Sequence, residues 1–228
     1  VDGSPLDNWF RGATGATSFN VQDIVTLRSQ WLDPRATFVA AKAGEVGATH
    51  GDLDAGTFVL DANGQRWAMD LGSDDYALPG YFSEPQRWTY YRMRAEGQNT
   101  LVINPGAGAE QVLRAKPSVV LFATEPNTER GATVMDLTSA YAGAQRVQRG
   151  IALFNRRRHV LIQDEIQYST AANVWWFMHY GTDKTVVLSA DGTSATMSKG
   201  ADRLWLKIVS GGGRFQIMDA TPLPSSPN

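Results

Sequence analysis

Residues 49–72 read THGDLDAGTFVLDANGQRWAMDLG. A polar loop comes first, with His50, Asp52 and Asp54. Phe58, Val59 and Leu60 follow, bulky apolar residues of the kind strands favour. Asn63-Gly64 is the dipeptide that best tolerates the positive φ angles of a two-residue hairpin turn. Residues 66–69 return as the partner strand, which predicts Trp67 and Met69 on one face and Arg66 and Ala68 on the other. A hairpin closes its ends on each other, so His50, Asp52 and Asp54 are expected near Asp70. An imidazole and three carboxylates at one end of a rigid ladder form the most chemically loaded feature of the chain.

Outward from this hairpin the strand signals continue. Residues 1–20 are rich in Gly, Ser, Thr and Asn and read as a leading segment, held to the body by Trp9 and Phe10. Residues 21–31 fit a strand or a short amphipathic helix, with β-branched content leaning to strand. Residues 36–42 are a short strand. Residues 73–85 make a long loop carrying Tyr76, Tyr81 and Phe82, and loops of this length in compact domains are often functional. Residues 87–94 are basic and aromatic and read as a strand or an extended segment. Residues 101–104 form a strand stopped by Pro105-Gly106.

From Pro117 the pattern repeats: short apolar or alternating runs, separated by turn signals at Asn127, Asp191-Gly192, Lys199-Gly200 and residues 211–213. Strands are expected over 118–123, 132–137, 145–154, 159–167, 173–180, 184–189, 194–198, 203–210 and 214–218. Many short strands with no convincing helix predict an all-β chain, a large antiparallel β-sandwich, over residues 21–220. Residues 221–228, with three prolines and two serines, are expected to be a disordered tail.

Composition narrows the function. At 228 residues and 43% hydrophobic the chain can bury a substantial core. Seven Trp, seven Tyr and nine Phe suit strands or sugar-facing surfaces. A net charge of −2 provides no global basic field for nucleic acid. The absence of cysteine excludes disulfides, thiolate metal sites and cysteine nucleophiles. No apolar run approaches the length of a membrane span. No signal peptide is visible, and a start at Val1 reads as a processed or cut form.

Two blocks carry a family resemblance: residues 50–72, already quoted, with Tyr76, and residues 92–105, RMRAEGQNTLVINP. They resemble the C-terminal β-sandwich, of super-sandwich type, of the heparinase II/III-like polysaccharide lyases. The likeness is specific over these positions and one of strand pattern beyond Lys116. It implies β-elimination on a uronic-acid-containing polysaccharide by a periplasmic or secreted enzyme. It also implies a helical toroid preceding this domain, so the isolated chain is expected to be an inactive portion of the machinery. The resemblance gives His50 and Tyr76 catalytic roles in the cleft, and puts Arg94 and Asn99 where substrate-binding, cleft-facing or motif-stabilising residues occur. It places Asp52, Asp70 and Gln98 at the ligand positions of a structural divalent metal, zinc or calcium. Histidines are usual there, and these three residues supply none; oxygen-only sets suit calcium or magnesium better than zinc. The competing function is a non-catalytic carbohydrate-binding or scaffolding sandwich.

Each residue also has a plain structural reading. Asp52, Asp54 and Asp70 can cap turns. Trp67 and Trp88 suit a core. Residues 156–159 suit a solvated hairpin tip, His179 a locally satisfied strand residue, and Glu96 a brace for Arg92 and Arg94.

Overall fold

The computed structural model describes residues 6–11, 22–48, 50–125 and 129–227. Most of the leading segment and the turn expected at Asn127 lie outside the described residues. The fold is all-β, as the strand pattern predicts.

The first sheet is a five-stranded antiparallel meander in the order β1 to β5: Asn8–Arg11, Gln22–Arg28, Phe38–Gly44, Phe58–Ala62 and Gln65–Ala68. The second has the order β10-β9-β8-β7, with β7 Ser118–Thr124, β8 Gly131–Asp136, β9 Ala144–Phe154 and β10 His159–Tyr168. A short pair joins β6 (Leu101–Ile103) to β11 (Val174–Trp176). These elements belong to one compact body, made of residues up to 179 together with 222–227. Residues 180–221 form a second compact body around β12 (Thr185–Leu188), β13 (Ser194–Lys199) and β14 (Asp202–Lys207). The sequence carries no boundary signal near residue 180.

Period-two alternation builds the core of the first body. Val25 and Leu27, Val39 and Ala41, Met135, Val147, Ile151 and Leu153 are all buried. Burying a side chain of this size contributes about 1.5–3 kcal/mol. Trp9 meets Phe122, which fastens the leading strand to β7, while Phe10 is exposed.

The Asn63-Gly64 turn forms as expected, with φ of 56° and 76°. The facing of its return strand does not follow the prediction. Register shifts after Leu60, so Trp67 is the extra residue opposite β4, and both Trp67 and Ala68 are buried. A bulge breaks alternation locally, which a period-two reading cannot foresee.

Three further differences are physical. Residues 86–97 are not a strand but three short 3₁₀ turns: Gln86–Thr89, Tyr91–Met93 and Ala95–Gly97. Residues 214–218 form no strand. The tail expected to be disordered folds back on the first body: the Leu223 backbone N–H and the Ser226 hydroxyl both donate to Glu96, at 3.0 and 2.9 Å.

Candidate functional site

Two segments build the site, and both leave the ends of the organising hairpin. The first is the loop between β3 and β4. It turns at Gly47 and at His50, both in left-handed conformations with φ of 64° and 60°. At Gly47 a side chain would press on Trp88 and Leu113, 3.0 Å away. Leu53 is fully buried and its N–H donates to the Met93 carbonyl at 2.9 Å. The Gln111 amide takes the N–H and carbonyl of Ala55, each at 3.0 Å. The loop is thus anchored from below, with His50 left exposed on top.

The second segment leaves β5 through Asp70. Its carboxylate accepts from the Gly72 N–H at 2.6 Å, a local turn. Arg92 then donates to the carbonyls of Leu71 and Ser73. The chain continues into an aromatic cluster: Tyr76, Tyr81 and Phe82 lie with ring centres 4.9–5.3 Å apart. The His50 imidazole meets the Phe82 ring edge at 5.9 Å.

A cleft of about 190 Å³ opens between these segments, lined among others by His50, Asp52, Asp70, Tyr76, Phe82 and Arg87. The structure therefore brings together four residues singled out in the sequence: His50, Asp52, Asp70 and Tyr76. Tyr76 is 58% exposed and lines the cleft rather than the core. The Asp52 carboxyl is pushed up to about 7 by burial and by the neighbouring Asp54, against the pull of Arg87 and Lys42. A carboxyl poised near neutrality can exchange protons in the working pH range. Asp54 does not line the cleft and is held in an ion pair with Lys42, 2.5 Å long.

The remaining predicted residues, Arg94, Asn99 and Gln98, are enclosed and do not line this cleft. Arg94 is fully buried; it pairs with Glu96 at 3.1 Å and Glu110 at 2.5 Å and donates to the carbonyls of Trp88 and Gly106. No donor of that guanidinium faces the cleft. Asn99 is buried too: its amide donates to the carbonyls of Phe58 and Met69 and accepts from the His179 N–H. It clamps both hairpin strands to the segment after β11, a structural task. Glu96 braces Arg94 as its plain reading predicts. His179 is satisfied by the Glu96 carbonyl, and burial lowers its pKa. Trp67 and Trp88 are core residues.

The expected metal ligands are already engaged by protein groups. Asp52 Oδ1 accepts from Arg87 at 3.1 Å, Asp70 Oδ1 from Gly72, and the Gln98 amide nitrogen donates to the Arg92 carbonyl at 2.8 Å. Gln98 Oε1 is buried without a hydrogen-bond partner, yet Gln98 does not line the cleft with the two carboxylates. Among the described residues no group of three or more His, Cys, Asp or Glu is placed to hold an ion. Without imidazole or thiolate, and with a guanidinium already on Asp52, the set does not fit zinc.

Sequence reasoning missed Arg87. Its only signal was a cation inside the aromatic stretch 81–91.

Comparison with known proteins follows from this architecture. The family description "Heparinase II/III-like, C-terminal" matches residues 14–225. Among solved structures, heparinase III, the BT4657 gene product, superposes with a TM-score of 0.60 at 22% identity, covering 76% of this chain and 25% of that one. Heparan sulfate lyase HepC from Pedobacter heparinus superposes with a TM-score of 0.56 at 21% identity, covering 79% and 28%. The chain thus spans about a quarter of the length of these structures. No curated protein sequence matches it. With a family match running over nearly its whole length, the chain belongs to the heparinase II/III-like C-terminal family.

Proposed function

We propose that this chain is the β-sandwich portion of a polysaccharide lyase that cleaves a uronic-acid-containing glycan by β-elimination. The observation that carries this reading is the shared cleft of His50, Asp52, Asp70 and Tyr76. The reaction removes a weakly acidic proton next to the sugar carboxylate and protonates the departing glycosidic oxygen. It therefore needs donors that neutralise the carboxylate as enediolate charge develops, with a base and an acid alongside. His50 suits the first need, because it is exposed and held by its left-handed turn. Tyr76 lines the same cleft. A helical toroid supplies the opposite wall and the remaining acid–base groups, so the isolated chain is inactive. An acidic polysaccharide substrate places the working protein in the periplasm or outside the cell.

The test joins this chain to a toroid domain and follows unsaturated uronate by its absorbance. His50→Ala is expected to lose ~10²–10⁴-fold in kcat/KM. Full activity in that variant would remove His50 from the mechanism.

A second reading, a non-catalytic carbohydrate-binding module, has one specific observation in its favour. Trp205 on β14 is 76% exposed. Alternation puts Arg203 and Lys207 on its face, and register puts Thr196 and Val187 beside it. Binding of the isolated chain to a polyuronate, abolished by Trp205→Ala but not by His50→Ala, would establish it.

A further inference from the structure

The rim contains a cation of its own. The Arg87 side chain is 9% exposed and reaches across the floor of the cleft. One terminal nitrogen, Nη2, donates to the Gly51 carbonyl at 2.7 Å and to Asp52 Oδ1 at 3.1 Å. The other, Nη1, donates to the Tyr81 carbonyl at 3.0 Å. The guanidinium carbon lies 5.0 Å from the Tyr81 ring centre and 5.3 Å from that of Trp88. Gly51 and Asp52 belong to the loop that displays His50. Tyr81 belongs to the loop that displays Tyr76 and Phe82. One planar cation therefore ties together the two loops that form the cleft.

Charge, reach and ligand chemistry agree. A guanidinium is always protonated and presents donors in a fixed fork, so it can bridge two carbonyls and a carboxylate that an ammonium could not span together. It occupies a carboxylate oxygen that a metal would need. Its charge also repels a divalent ion brought to the same carboxylates. We propose that Arg87 is the resident cation of this rim, a positioning residue that holds the His50 and Tyr76 loops in place of a structural metal. The inference rests on this geometry and is independent of whether the domain serves a lyase.

The experiment uses the full 228-residue chain, purified without chelator. Elemental analysis is expected to find no stoichiometric zinc or calcium, and EDTA is expected to leave Tm unchanged. Arg87→Met is expected to lower Tm by on the order of 10 °C, since an uncompensated carboxylate stays partly buried. In Arg87→Ala, methylguanidinium should recover part of that loss and return the His50 imidazole NMR resonances towards wild type, while methylammonium should do neither. A stoichiometric metal, a Tm lowered by EDTA, or equal rescue by the two cations would overturn the proposal. Should Arg87→Met and Arg87→Ala fail to fold, metal content and EDTA response of the wild-type chain, with the His50 spectrum of Arg87→Lys, still decide it. A wild-type-like spectrum for Arg87→Lys would count against the fork.

Discussion

The body carrying the cleft and the three-stranded sheet β12–β14 use charge in opposite ways. In the first, three arginines are interior struts. Arg149 is fully buried, pairs with both oxygens of Asp164 at 2.7 and 2.9 Å, and donates to the carbonyls of Gly56 and Asn99. Arg94 and Arg157 are enclosed in the same manner. In the second, Asp183 stands at the surface between Lys184 and Lys199, 2.8 and 2.7 Å away. The pKa directions separate as well. Asp52 and Glu110 in the first body are pushed up to about 7, mainly by burial. Asp183 and Asp191 in the second are held down at about 2 by hydrogen bonds from lysines and hydroxyls. The lesson is that the same ion-pair chemistry specifies geometry where it is enclosed and merely decorates where it is wet.

Four experiments would break or sharpen this contrast. Arg149→Met leaves Asp164 without its counter-ion and two carbonyls without their donor. It should cost about 3–5 kcal/mol of unfolding free energy, measured by urea denaturation. A loss as small as that of a surface substitution would refute the strut reading. Asn99→Ala should cost about 1–3 kcal/mol, because the carbonyls of Phe58 and Met69 lose their buried donor. The same measurement checks it, and a substrate-facing Asn99 would instead leave stability intact.

The third concerns pH. A carboxyl whose folded pKa is raised holds a proton that the unfolded chain releases, so stability falls as pH rises from the ordinary value towards the folded one. For Asp52 that window runs from 3.8 to about 7, and for Glu110 from 4.5 to about 7. Hydrogen-exchange protection in the first body, corrected for the intrinsic base-catalysed rate, should therefore fall across this range, and Asp52→Asn should flatten the trend. In the second body the sign reverses: stability from Asp183 and Asp191 is present above 3.8 and lost as pH falls towards about 2. The smallest effect is Asp183→Asn at neutral pH, which should lower the denaturation midpoint of its body only slightly, because solvent screens an exposed pair.

Much of this architecture was legible because it rests on local rules. Asn63-Gly64 announced its turn, alternation announced the strands, and the clustering of His50 with Asp70 followed from hairpin closure. The illegible parts have two physical causes: partners distant in sequence, and local turns without a period. Arg94 and Arg92 look alike along the chain, yet Glu110 encloses the first while the second props an exposed loop. Residues 86–97 carry the composition of a strand but fold as 3₁₀ turns, which leave no periodic signature. Arg87 was hidden for both reasons. The tail escaped because its anchor is one buried carboxylate, Glu96, more than 120 positions away.

The tip of the longest hairpin carries a consequence for where the domain begins. Asn155, Arg156 and Arg157 all adopt left-handed backbone, with φ of 50°, 54° and 59°. That coil swings Arg157 inward, away from the solvent its neighbours face, onto both oxygens of Asp7 at 2.6 and 3.0 Å. The tip thus works as a latch whose catch lies at the opposite extremity of the polypeptide. Trimming the chain at residue 21, where composition alone would cut, removes the catch, and the damage would surface at residues 155–158 rather than at the new terminus.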